Sequence, residues 1–149
     1  MSTGSDRSGV RRPWHVWLVA TAVFALYIGG FRDYLLILIQ DTDYIEGQFG
    51  SGGVAYFTDY PPALRAIWAI NVLGGLIAPV LLLARSRWAA PTARVAAAAQ
   101  VVLLAVTLAF LDRWAMLGAA ISWFDIGVGV LTVLFAVYCG RMRRRGLLR

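Results

Sequence analysis

Six polar side chains interrupt the apolar stretches of this 149-residue chain: Arg32, Asp33, Arg65, Asn71, Gln100 and Asp125. Ionisable groups in hydrocarbon are costly unless they are paired or face a cavity, so each is first read as a candidate binding or proton-transfer group. Asp125 is the sharpest of them, because a carboxylate inside a span can hold a cation, a proton or a polar solute. Arg32, Asp33, Arg65 and Asp125 can neutralise one another, while Asn71 and Gln100 can bond across helices. Such interhelical hydrogen bonds contribute only about 0.6 to 2 kcal/mol each, enough to fasten a bundle with no ligand involved. The structural reading is therefore preferred, with an outward-facing cavity around Asp125 as the functional alternative.

A second group lies in "GVAYFTDYPP", where Tyr56, Phe57 and Tyr60 stand just before a proline pair. Aromatics there would lie flat at the bilayer surface, or cap a bundle mouth over a sugar-like or aromatic solute. The plain interfacial role is preferred. Spacing argues against other chemistry. "DTDYIEGQFGSGG" starts like a calcium loop at Asp41 and Asp43, but Ile45 replaces the third ligand and the closing glutamate is missing. It reads as an acidic surface turn. "WFDIGVG" lacks the glycine–variable–glycine–aspartate pattern of an intramembrane aspartyl protease. Cys139 and His15 are each the sole residue of their type, so no disulfide, metal cluster or nucleophilic constellation is expected. His15 reads as an interfacial anchor. No cofactor is expected, and the chain is read as having no enzymatic activity.

The elements that must position these residues follow from composition. Hydrophobic residues make up 60% of the chain and charged ones 15%, more apolar surface than a soluble domain of this size can bury. The pattern predicts an all-α protein, a transmembrane four-helix bundle with spans at about 14–39, 62–84, 91–111 and 117–140. A tail at 1–12, an external loop at 40–61 and a basic tail at 142–149 complete one domain. Pro91 suits a first helical turn, and Pro79 should kink the second span by freeing the carbonyl of Gly75. The small-residue faces place the polar groups. Asp125 shares a stripe with Ser122, Gly129, Thr132 and Ala136, and Asn71 with Gly74, Gly75 and Ala78. Gln100 lines up with Ala93, Ala96, Ala97 and Thr107, and Asp33 stands over Gly29 and Gly30. Small faces are where membrane helices pack, so the polar groups should point inward.

All 14 basic residues are arginine. The side of the N-terminus, the 84–91 loop and the C-terminus carries eleven of them, Arg94 included, against Asp6 alone; Arg32, Arg65 and Arg113 share the other side with seven acids. The basic-residue bias predicts both termini in the cytoplasm. "RMRRRGLLR" then reads as a stop-transfer cluster on anionic lipid head groups, with no nucleic-acid partner. Trp14, Trp17, Trp88, Trp114 and Trp123 mark the span ends as an aromatic belt.

"PWHVW" at 13–17, the aspartate–tyrosine element ending the first span, "AYF" at 55–57, "AIWAINVLGG" at 66–75 and "LLLARSRWAAP" at 81–91 form a recognisable series. It resembles a group of small bacterial inner-membrane proteins with four spans that carry the label "sugar transporter". The resemblance covers most of residues 13 to 91. It departs where Arg32 separates Phe31 from Asp33 and where "FGSGG" replaces an acidic helix start. The expectation is a multi-pass protein of the bacterial cytoplasmic membrane with the lipid bilayer as its partner. Small-solute transport, through a homo-oligomer hinged at Gly74, Gly75 and Pro79, is one alternative. An accessory role in a larger membrane complex is the other.

Overall fold

The computed structural model describes residues 13–149; the tail expected at 1–12, with Arg7, Arg11 and Arg12, lies outside them. Seven helices follow in order: α1 (Trp14–Leu38), α2 (Thr42–Phe49), α3 (Ser51–Thr58), α4 (Pro62–Leu83), α5 (Ala89–Phe110), α6 (Arg113–Leu117) and α7 (Ala119–Arg144). Four of them, α1, α4, α5 and α7, are long and apolar enough to cross a membrane. The chain is thus built as a small multi-pass integral membrane protein.

Local chemistry sets the helix ends. Pro62 opens α4 at its first position, where a missing N–H costs nothing, and Pro91 falls in the first turn of α5. Helix α4 runs on through the buried Pro79 to Leu83. Asp112 at φ 44° and Gly118 at φ 86° bracket α6, and these left-handed residues turn the chain between α5 and α7. The fourth span consequently starts at Ala119 and ends at Arg144, later than expected at both ends.

The spans pack as a row, α1 against α4, α4 against α5 and α5 against α7, with α1 and α7 barely meeting. Close approach explains the tight contacts. A Cβ on Gly74 would sit 3.0 Å from Ala96 Cβ, one on Gly75 would enter the Tyr27 ring, and one on Gly129 would strike Leu104. Gly74 and Gly75 are therefore packing contacts. The small stripes of α4, α5 and α7 are buried as expected. Gly29 and Gly30 are not, since a Cβ on either meets nothing within 4 Å. Outward, the spans present large apolar residues such as Leu18, Ile77, Val101 and Leu134, a surface suited to lipid.

The two ends of the bundle differ. At the end holding Trp14, the α4–α5 loop and Arg144, His15 Nδ1 lies 2.6 Å from Tyr138 Oη, so this histidine has a specific partner on α7. Residues past α7 fold back there: Arg149 N–H donates to Arg85 O and Arg87 N–H to Arg149 O, each at 2.7 Å. Leu148 is buried with Leu82 and Met142. At the opposite end, the segment expected as an open loop forms α2 and α3, which close over the spans as a roof. Asp41 does not begin a calcium loop; its carboxylate caps α2 by accepting from Tyr44 N–H at 2.9 Å. Gly52 lets α3 sit against α6, because a Cβ there would meet the Met116 carbonyl.

Candidate functional site

Beneath the roof, α1, α4, α5 and α7 enclose a cavity of about 560 Å³. Its size falls within the roughly 300–1,000 Å³ of small-molecule sites. The row leaves room for it: α1 and α7 barely meet, and the Tyr27–Thr132 pair is a hydrogen bond between them.

The floor is a hydrogen-bonded chain. Asn71 Nδ2 donates to Tyr27 Oη at 3.2 Å and to Ala96 O at 2.9 Å, tying α4 to α1 and α5. Tyr27 Oη and Thr132 Oγ1 lie 2.8 Å apart. Thr132 directs its only hydroxyl proton to Val128 O, which leaves Tyr27 as the donor in that pair. Gln100 forms part of the wall from the middle of α5. It is 8% exposed and, among the described residues, has no hydrogen-bond partner; its side chain lines the cavity.

The ceiling holds the charges. Asp125 pairs with Arg113, whose side chain is 12% exposed against 23% for the carboxylate. Arg113 Nη1 also donates to Tyr56 Oη at 3.4 Å, and its Cζ lies 5.8 Å from the Tyr56 ring centre. Burial works against the Arg113 charge, but Asp125 and Tyr56 more than offset it and hold its pKa above the ordinary value. Burial likewise pushes the Tyr56 and Tyr60 hydroxyls up, so both stay neutral donors.

This arrangement corrects the expected cluster of Arg32, Asp33, Arg65 and Asp125. Arg65 turns away and donates to Phe57 O at 2.8 Å, bracing α3 on α4. Arg32 lies over the Tyr44 ring at 5.3 Å. Asp33 accepts from Tyr44 Oη and also lines the cavity. Burial, reinforced by the Asp33 bond and charge, pushes the Tyr44 hydroxyl up to about 12. The residue that sequence reasoning missed is Arg113. It lies outside every predicted span, and only the turn made by Asp112 and Gly118 brings it back over Asp125.

Tyr56, Phe57 and Tyr60 are likewise not a surface film. All three are buried, 6%, 2% and 6% exposed, in a cluster with Ile37, Ile45 and Leu117. Phe57 stacks on Trp68 with centroids 6.2 Å apart, and Phe57, Tyr60 and Trp68 form an aromatic lining beneath the roof. Amides, carboxylates, hydroxyls and aromatic faces thus converge on one cavity. Such a set can hydrogen-bond a neutral polar group while apolar atoms lie on the rings.

Comparison with protein-family models, curated proteins and solved structures returns no match.

Proposed function

We propose that this chain is a binding protein of the bacterial cytoplasmic membrane that takes a small, neutral, hydroxyl-bearing solute into the cavity beneath α2 and α3. Gln100 carries this reading. Its side chain is 8% exposed and lines the cavity, and among the described residues no protein group bonds its amide, so both its donor and its acceptor are left for whatever enters. A hydroxyl that both donates and accepts completes it. The resemblance of residues 13 to 91 to proteins labelled as sugar transporters agrees with a hydroxylated solute. Both termini lie in the cytoplasm in this reading, because the arginines concentrate at the end opposite the cavity.

The reading is binding without catalysis: Asp125 is engaged by Arg113 and Asp33 by Tyr44, so neither carboxylate is poised as a free base. Binding is also favoured over transport by a single copy, since Gly74 and Gly75 are packing contacts. The test is thermal unfolding of the purified full chain in mild detergent with glucose, sucrose or glycerol. Sugars stabilise proteins generally by exclusion, so the Gln100→Leu variant is the control. A solute that binds the cavity at a hundred times its Kd adds about 2.7 kcal/mol to the wild type, and about 1.4 kcal/mol to a variant that binds tenfold more weakly. Equal stabilisation of both proteins by every solute refutes the reading.

A further inference from the structure

We propose that the natural ligand of this cavity is a neutral single-chain amphiphile. Its hydroxyl- or amide-bearing head reaches Gln100, and its hydrocarbon chain lies in the gap between α1 and α7. This deepens the reading above and rests on it, adding a chain to the solute and a route from the bilayer.

The route is drawn by exposure. Of the residues that line the cavity, Ala25, Gly29, Gln48, Ala120 and Phe124 are also exposed, and four of these five belong to α1 and α7. Those four give the cavity an apolar exposed side on membrane-spanning helices. Over the cavity, Tyr56, Phe57 and Tyr60 of the roof are packed in a buried cluster. A membrane-dissolved solute meets the lining directly at the exposed residues of α1 and α7.

The small residues at the gap support the same assignment. Glycines buried in this fold touch something: Gly74 meets Ala96, Gly75 meets Tyr27 and Gly129 meets Leu104. Gly29 borders the gap with nothing within 4 Å of a built Cβ, so its lack of a side chain leaves space that no protein atom takes. A straight hydrocarbon chain fits beside such a surface, because lipid tails and apolar side chains are equivalent solvents for it.

The head is defined by the lining. Two carboxylates, Asp33 and Asp125, accompany one guanidinium, Arg113, so the cavity repels an anionic head. Inside, Gln100 offers an amide donor and acceptor, which a hydroxyl or amide answers and a bare methyl does not. At about 560 Å³ the cavity has ample room for a compact head.

The test uses the full chain in phosphatidylcholine nanodiscs and a photoreactive 1-acylglycerol with a diazirine in its chain. Labelling should fall on α1 and α7 and be competed by unlabelled 1-oleoylglycerol but not by oleate or glycerol. Gln100→Leu should weaken competition about tenfold, the loss of one well-made hydrogen bond. Gly29→Trp and Gly30→Trp should abolish labelling by filling the gap. Gly127→Trp, at another open glycine that does not line the cavity, should leave it unchanged.

Labelling that survives Gly29→Trp and Gly30→Trp, competition by 1-oleoylglycerol that is unweakened in Gln100→Leu, or equal competition by oleate overturns the proposal in favour of adventitious annular lipid. If glucose or glycerol stabilises the wild type through Gln100 while 1-oleoylglycerol fails to compete, the amphiphile is refuted and the simpler binding reading stands. If nothing competes and no solute stabilises, both fall.

Discussion

Breaking the Arg113–Asp125 pair should reveal a coupling that no other arginine shares. Opening a fully buried ion pair from one side costs about 3–5 kcal/mol, because the remaining charge is left in a poor solvent. Here the carboxylate side chain is 23% exposed and the guanidinium side chain 12%, with a cavity beside them that water can fill. The cost of Arg113→Gln or of Asp125→Asn is therefore reduced to about 2–3 kcal/mol each. The double variant removes both charges and should cost no more than one single change, a coupling of about 2 kcal/mol. Reversible unfolding by sodium dodecyl sulfate in mixed micelles, followed by far-ultraviolet circular dichroism, measures all four proteins. The parallel cycle of Arg65→Gln with Asp125→Asn should be additive, since Arg65 bonds the Phe57 carbonyl. Additive costs for Arg113 and Asp125, or a coupling found with Arg65 instead, would refute the assigned ion pair.

Gly75→Ala should destabilise the protein by about 1–3 kcal/mol, since its Cβ enters the Tyr27 ring, and Tyr27→Ala should relieve most of that penalty in the same unfolding assay. Gly29→Ala should cost nothing in that assay, because no atom lies in its way. Tyr44 should titrate near pH 12 against an ordinary value of 10.0, so its phenolate absorbance, read as wild type minus Tyr44→Phe, should be less than half developed at pH 11. The sign follows from that shift: an unfolded chain loses this proton first, so the stability contributed by Tyr44 is intact below pH 10 and lost between there and about 12. Leu148→Ala should remove about 2–3 kcal/mol of packing and release residues 145–149 from the α4–α5 loop. Amide exchange at Arg87 and Arg149 should then quicken on the order of a hundredfold.

The spans were legible because apolar length and helical periodicity are local properties. The inward direction of Asn71, Gln100 and Asp125 was legible too, since each shares a face with residues small enough for helices to meet. The pairing of charges was not. Arg113 lies beyond the third span, and its reach to Asp125 depends on left-handed turns at Asp112 and Gly118 that polar spacing does not encode. A cap over the bundle mouth was one reading of Tyr56, Phe57 and Tyr60, but the helices that form it were not legible: the glycines of "FGSGG" mark a loop, yet Gly52 lets the Met116 carbonyl close on α3 and Asp41 caps α2. Gly29 and Gly30 followed the rule for small faces and stand open all the same. Whether a small residue permits contact or leaves a space depends on the opposite helix, and α1 and α7 barely meet.

The side-chain amide of Gln100 is the most direct probe of the central claim that a neutral hydrogen-bonding ligand occupies the cavity. The chain has three glutamines, so selective side-chain 15N labelling yields three amide signals in bilayers, and Gln100→Leu identifies one. Solid-state NMR with added 1-oleoylglycerol, and separately with glucose, should shift the Gln100 signal and show proximity between its amide and ligand hydroxyl groups. Gln40, which donates to Ile37 O at 3.0 Å, should not respond. A Gln100 signal indifferent to both ligands, or one already coupled to a protein carbonyl, would contradict the account.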